Sequence, residues 1–191
     1  MSLPRFGTAC SKTMIMVCLT FCYFILSGCA HWGAQPSEQT LDTWSITGKI
    51  GIRTPHESVA GFLTWQQNEH AFDIYVSGPL AQGATRIIGD LDSVTIEQGG
   101  QTKQGVDPQQ LIWQELGWQF PLSNLKHWLT GNTAPKSKAK IIKQGDRLES
   151  FKQDGWTITY LRFDDYYHLP ERIRISQGNW RFTIIVKTWS V

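Results

Sequence analysis

Beyond residue 29 the sequence has no cysteine. All four cysteines of the 191-residue chain, Cys10, Cys18, Cys22 and Cys29, stand in its first 29 residues. A domain built from the remaining residues has no disulfide framework and no thiolate to offer a metal or a substrate. Histidine pairs at metal-ligand spacing are missing too. His31, His56, His70, His127 and His168 stand apart, with no H-E-x-x-H among them. No serine occupies a G-x-S-x-G turn. Asp164 and Asp165 are adjacent, so on a strand they point to opposite faces, which suits loop capping better than shared acid-base work. The sequence therefore nominates no catalytic residue, no metal and no cofactor, and the expectation is a protein that is not an enzyme.

A comfortable membrane span is also lacking, since crossing a bilayer takes about 20 apolar residues. The apolar run "TMIMVCLTFCYFI" (13–25) is shorter than that, which leaves a retained anchor helix as the second reading of the segment. Arg5 and Lys12 precede it and "LSGC" (26–29) closes it, which is the order of a secretory leader. Leu26 is wrong for an ordinary small-residue cleavage site. Leu-Ser-Gly-Cys instead resembles the bacterial lipobox, in which Cys29 is acylated and becomes the first residue of the mature chain. The leader is then 1–28, and its loss takes the basic residues from 18 to 16, equal to the acidic ones. Zero net charge argues against nucleic acid and offers no electrostatic handle on an anionic membrane. Attachment then rests on lipid, and stable anchoring needs more than one acyl chain. Ala30 stands where Asp would resemble the enteric signal for inner-membrane retention, so the expected destination is the outer membrane, facing the periplasm.

What is present after the leader reads as one domain. Residues 29–40 have no apolar period and form a tether reaching at most roughly 40 Å, with a short helix around 37–43 closing it. Within the domain, 41–191, period two begins at Trp44. In "WSITGKIGIR" one face carries Trp44, Ile46, Gly48, Ile50 and Ile52, while Lys49, Gly51 and Arg53 share the other. The same alternation recurs in "VAGFLTWQQ", "AFDIYVSG", "ATRIIGDL", "SVTIEQ" and "QTKQ". After a helical interval it returns in "AKIIKQ", "RLESFKQ", "WTITYLRFD", "ERIRIS" and "WRFTIIVKTW". Gly99-Gly100, Gly145-Asp146, Asp154-Gly155 and Gly178-Asn179 supply tight turns, giving about eleven antiparallel strands in meander order. Lys136, Lys138, Lys140 and Lys143 read as the exposed face of an edge strand. Asp107-Pro108 opens one helix, stopped at Gly117, and "PLSNLKHWLTG" forms a second, ending at Gly131. A long curled sheet with helices against its concave apolar face is the expected assembly. The period does not tell a filled interior from a hollow one.

One stretch departs from an ordinary β-domain. "SGPLAQGAT" (77–85) sets Leu80 among turn residues between two strands, where polar side chains are usual. The residues alone favour a Leu80 that folds back over the hydrophobic core; the other reading is that, in a protein tethered to a bilayer, an apolar loop tip can enter it.

With the lipobox, "GPLAQGA", "GWQFPLSNLKHWLTG", "QDGWTITY" and "LPERIRIS" all read in order, the chain resembles the LolB family of outer-membrane lipoprotein receptors. The resemblance implies an incomplete, half-open antiparallel β-barrel of eleven strands, with helices lidding a hydrophobic cavity. It further implies acceptance of lipoproteins from LolA, a soluble periplasmic carrier, and their delivery to outer-membrane phospholipid by a monomer needing no nucleotide. Cys29 would be the lipid attachment site, and Pro79 and Leu80 the membrane-inserting loop, although Ala81 stands where the family motif Pro-Leu-Gly has glycine. The candidates for the acyl-chain cavity are Ile50, Phe62, Trp65, Ile74, Ile112, Leu116, Leu125, Trp128 and Trp156. The alternative is a structural envelope lipoprotein whose β-domain docks another protein.

Overall fold

The computed structural model describes residues 41–119 and 121–191; Cys29, the leader and the whole tether lie outside them. The expected helix around 37–43 does not extend into this part, because Leu41 and Asp42 have no regular structure and Thr43 is already strand. The strands are β1 (Thr43–Arg53), β2 (Ser58–Asn68), β3 (Ala71–Ser77), β4 (Thr85–Gly89), β5 (Val94–Gln98) and β6 (Gln101–Gly105). After helices α1 (Pro108–Leu116) and α2 (Leu122–Leu129) come β7 (Lys140–Gln144), β8 (Leu148–Gln153), β9 (Trp156–Phe163), β10 (Pro170–Gln177) and β11 (Trp180–Ser190). Together they form one antiparallel sheet in the order β6-β5-β4-β3-β2-β1-β11-β10-β9-β8-β7.

This order corrects a simple meander. Two meanders are joined by the pairing of β1 with β11, so the first and last strands are central, and β6 and β7, which flank the helices in sequence, are the two edges. The two edges remain separate, and the barrel stays unclosed. All of β7 is solvent-exposed, and Lys140 and Lys143 on it blunt an edge that would otherwise pair with another chain. Two of the expected turns form as two-residue hairpins with paired positive φ, at Gly99-Gly100 and Asp154-Gly155; at Gly178-Asn179 only the glycine has positive φ, and Gly145-Asp146 falls in a three-residue connection with neither.

Alternation sets the faces. Trp44, Ile46, Ile50 and Ile52 of β1 point inward with Leu63 and Trp65 of β2 and Phe182, Ile184 and Val186 of β11. The inner face receives Leu111 and Ile112 from α1 and Leu122, Leu125, Trp128 and Leu129 from α2, and all belong to one buried cluster. The sheet and helices therefore share a single interior. Near the centre, the β1–β11 register shifts between Thr47 and Gly48. A Cβ on Gly48 would collide with the carbonyl oxygen of Ile185, so this close backbone approach requires glycine.

Candidate functional site

The two helices are held in different ways. On α1, the Asp107 side chain accepts from the Gln110 N–H and closes the N-terminus, Gly117 ends the helix in the left-handed region, and the body packs against β5 and β6. The α2 helix is bound by buried polar groups. Trp128 Nε1 donates to Gln153 Oε1 at 2.9 Å, and the Tyr160 hydroxyl donates to the Trp128 carbonyl at 2.8 Å. Gln153 also accepts from the Ala134 N–H at 2.9 Å and donates to the carbonyls of Ala134 at 2.7 Å and Ser137 at 2.8 Å. Every polar atom of this fully buried amide is satisfied, so α2 and the segment after it are stitched to β8. Burial pushes the Tyr160 hydroxyl well above its ordinary value, which keeps it a neutral donor.

A cleft of about 450 Å³ lies between α2, the start of α1 and the β2–β3 and β4–β5 turns. Trp65, Phe72, Leu91 and Leu122 make its apolar lining, while Asp42, Lys126 and His127 lie among its polar groups. Burial and then the neighbouring Lys126 hold His127 below its ordinary pKa, against the opposing effect of Asp42. A second, polar-rimmed cleft of about 690 Å³ runs past Trp113 of α1 to Trp156 and Gln177.

Against the expected cavity lining, the structure divides the nine candidates. Ile50, Trp65, Ile74, Ile112, Leu125, Trp128 and Trp156 are buried in the shared interior, and half-buried Leu116 packs against it. Trp65 reaches the first cleft and Trp156 the second. Phe62 is a correction: it faces outward and is 54% exposed. The reason is parity, because Phe62 and Trp65 are three apart on one strand and so lie on opposite faces. Sequence reading missed Gln67, whose buried amide accepts from Trp65 Nε1 at 3.0 Å and donates to the Glu69 and Ala71 carbonyls beside the first cleft, and also Gln153. Each follows a large inward aromatic by two residues, Trp65 and Phe151, and that parity was the available signal. Asp164 caps the β9–β10 loop as expected, accepting from the N–H groups of Tyr166, Tyr167 and Leu169.

Leu80 is 93% exposed at the tip of a one-turn 3-10 segment, Pro79–Ala81. Its backbone is left-handed at φ 57, ψ 30, and Ala81 follows at φ 59. The Gly78 N–H donates to the Gln82 carbonyl at 2.9 Å and closes the loop. Left-handed geometry costs an L-residue roughly 1–2 kcal/mol, so two successive residues hold strain to present one leucine to solvent. Ala81→Gly is expected to raise stability by about 1 kcal/mol, shifting Tm by roughly 2–4 °C in a domain of this size. An unchanged or lowered Tm would mean that Ala81 carries no strain.

The family described as "Outer membrane lipoprotein LolB" matches residues 42–189. The outer-membrane lipoprotein LolB of Stutzerimonas stutzeri is 38% identical over 198 residues, covering 93% of this chain and 95% of the relative. That of Pseudomonas fluorescens Pf0-1 is 40% identical over 165 residues, covering 84% and 80%. A solved LolA superfamily protein from Nitrosomonas europaea aligns with a TM-score of 0.46 at 10% identity, over 78% of this chain and 86% of its own. A family match running from just before β1 almost to the end of β11, together with relatives matched along most of their length, establishes that the chain belongs to the LolB family of outer-membrane lipoproteins.

Proposed function

We propose how this LolB-family protein, which receives lipoproteins from LolA and inserts them into the outer membrane, divides the task among its residues. Cys29, after a leader of 1–28, carries the lipid that anchors it on the periplasmic face, and 29–40 is the tether. The client's acyl chains lodge between the concave face of the sheet and α1. Leu80 is the group that enters the bilayer. The observation that carries this reading is the contrast between the two helices, one clamped by Gln153 and Tyr160 and the other packed against β5 and β6.

Energetics favour that division. An acyl chain of about fifteen carbons is worth on the order of 12 kcal/mol in a bilayer, at ~0.8 kcal/mol per CH₂. The interior beside Ile112, Leu125 and Trp128 is closed, so a chain enters only as α1 parts from the sheet. That parting subtracts from what the chain gains by burial. The receptor then holds its client less firmly than the membrane does, and release is downhill without nucleotide.

The test uses the mature chain with Cys29→Ala, a carrier loaded with labelled lipoprotein, and liposomes. The label is expected to move onto this protein and then into the liposomes, and fatty acid should displace a hydrophobic fluorophore from it. If label remains on an active carrier and the fluorophore shows no saturable binding, the acyl-chain reading fails.

A further inference from the structure

Zero net charge hides an uneven distribution. On the outward face of β2, β1, β11 and β10 stand Lys49, Arg53, Arg172, Arg174 and Arg181, all exposed. The only carboxylate on these four strands is Glu171, which is paired with Arg162. None of the five cations makes an ion pair among the described residues. Arg53 and Arg181 are directly opposite across the β1–β11 pairing, and Arg174 lies opposite Thr183, one outward step from Arg181. Like charges facing each other across a ladder are destabilising, so fold stability does not explain this placement.

The same face has an apolar feature beside the cations. A trough of about 360 Å³ runs over small residues, Gly51 and Ala60, between a wall of Phe62, Lys49 and Ile185 and an end at Pro79. Lys49 is opposite both Phe62 and Ile185, so the wall is continuous across three strands. Pro79 adjoins Leu80, and the trough therefore leads to the loop tip. An exposed phenylalanine, an apolar tip and a field of unneutralised cations occur together on one surface.

We infer that this outward sheet face docks flat on a bilayer bearing anionic phospholipid, with Phe62 and Leu80 at the interface and Lys49, Arg53, Arg174 and Arg181 against lipid phosphates. The inference rests on the reading of Leu80 as the membrane-entering residue and adds a headgroup preference to it. Charge complementarity selects the occupant: a neutral apolar partner would leave the cations facing an uncharged surface, whereas anionic lipid supplies both tails and phosphates. Docking by this face fixes the orientation in which Leu80 dips.

The test is sedimentation of the Cys29→Ala chain with vesicles of phosphatidylcholine alone or of phosphatidylcholine mixed with phosphatidylglycerol. Tighter binding to the anionic vesicles is expected, falling as salt is raised. Combined Lys49→Gln, Arg53→Gln and Arg181→Gln should weaken that binding by roughly fivefold per cation removed, with the melting temperature retained or raised as the Arg53–Arg181 repulsion is lost. Equal binding to both vesicle types by the parent chain, or salt-insensitive binding, overturns the inference without recourse to any variant. A triple variant that transfers poorly from a loaded carrier yet binds anionic vesicles normally also overturns it, assigning the face to an acidic protein. Leu80→Glu separates the two readings: if it changes binding to neither vesicle while the triple variant loses the anionic preference, the inserting loop fails and the cationic face stands.

Discussion

Gln153→Leu is expected to destabilise the domain by about 4 kcal/mol, a fall in Tm of roughly 8–16 °C. The leucine nearly conserves volume but leaves two buried donors, Trp128 Nε1 and the Ala134 N–H, without their acceptor. It also removes the donor shared by the carbonyls of Ala134 and Ser137. Each orphaned buried group costs about 1–3 kcal/mol, and the site is 1% exposed, so water cannot substitute without opening the structure. Tyr160→Phe removes a single bond to the Trp128 carbonyl and should cost only about 1 kcal/mol. Denaturant unfolding of both variants measures the difference. If Gln153→Leu loses less than Tyr160→Phe, the amide is not what holds α2 down, and the assignment of α1 as the moving helix loses its basis.

The faces of the strands were legible because alternation is local. Trp44, Ile46, Ile50 and Ile52 point inward as their spacing requires, and the turns at Gly99-Gly100 and Asp154-Gly155 take the paired positive φ their residues allow. Strict use of the same rule would have kept Phe62 off the inner face. The pairing of β1 with β11 left no trace in any period, since nothing local tells a strand that its neighbour lies well over a hundred residues away. It was this pairing that made edges of β6 and β7 and assembled Arg53, Arg181 and Arg174 into one patch. Net charge, being a sum, could not reveal that segregation. The interior shows the same limit. Spacing placed Ile112, Leu125 and Trp128 inside but could not show that they close on the sheet rather than line an open cavity.

Leu80→Glu should slow delivery of bound lipoprotein into liposomes by on the order of 10–100-fold while leaving its acceptance from the carrier unchanged. That range corresponds to burial of one leucine, worth ~1.5–3 kcal/mol, which is lost when the tip carries a charge. The interior proposed for the acyl chains is a different part of the molecule. Phe72 and the Leu80 loop lie at opposite ends of β3, roughly 20 Å apart along a seven-residue strand, so the substitution touches neither the first cleft nor the helices. Leu80→Gly makes the sharper comparison. Glycine relieves the left-handed strain and should raise stability by about 1 kcal/mol, yet it removes the apolar tip and should slow insertion as the glutamate does. Opposite signs in melting temperature and insertion rate would mean that the leucine is retained against stability, for what it does outside the fold. Leu80→Met keeps an apolar tip of similar volume and should insert at nearly the parent rate. Should Leu80→Gly and Leu80→Glu both deliver normally, the exposed leucine is incidental, and delivery depends on the carrier contact or the sheet face instead.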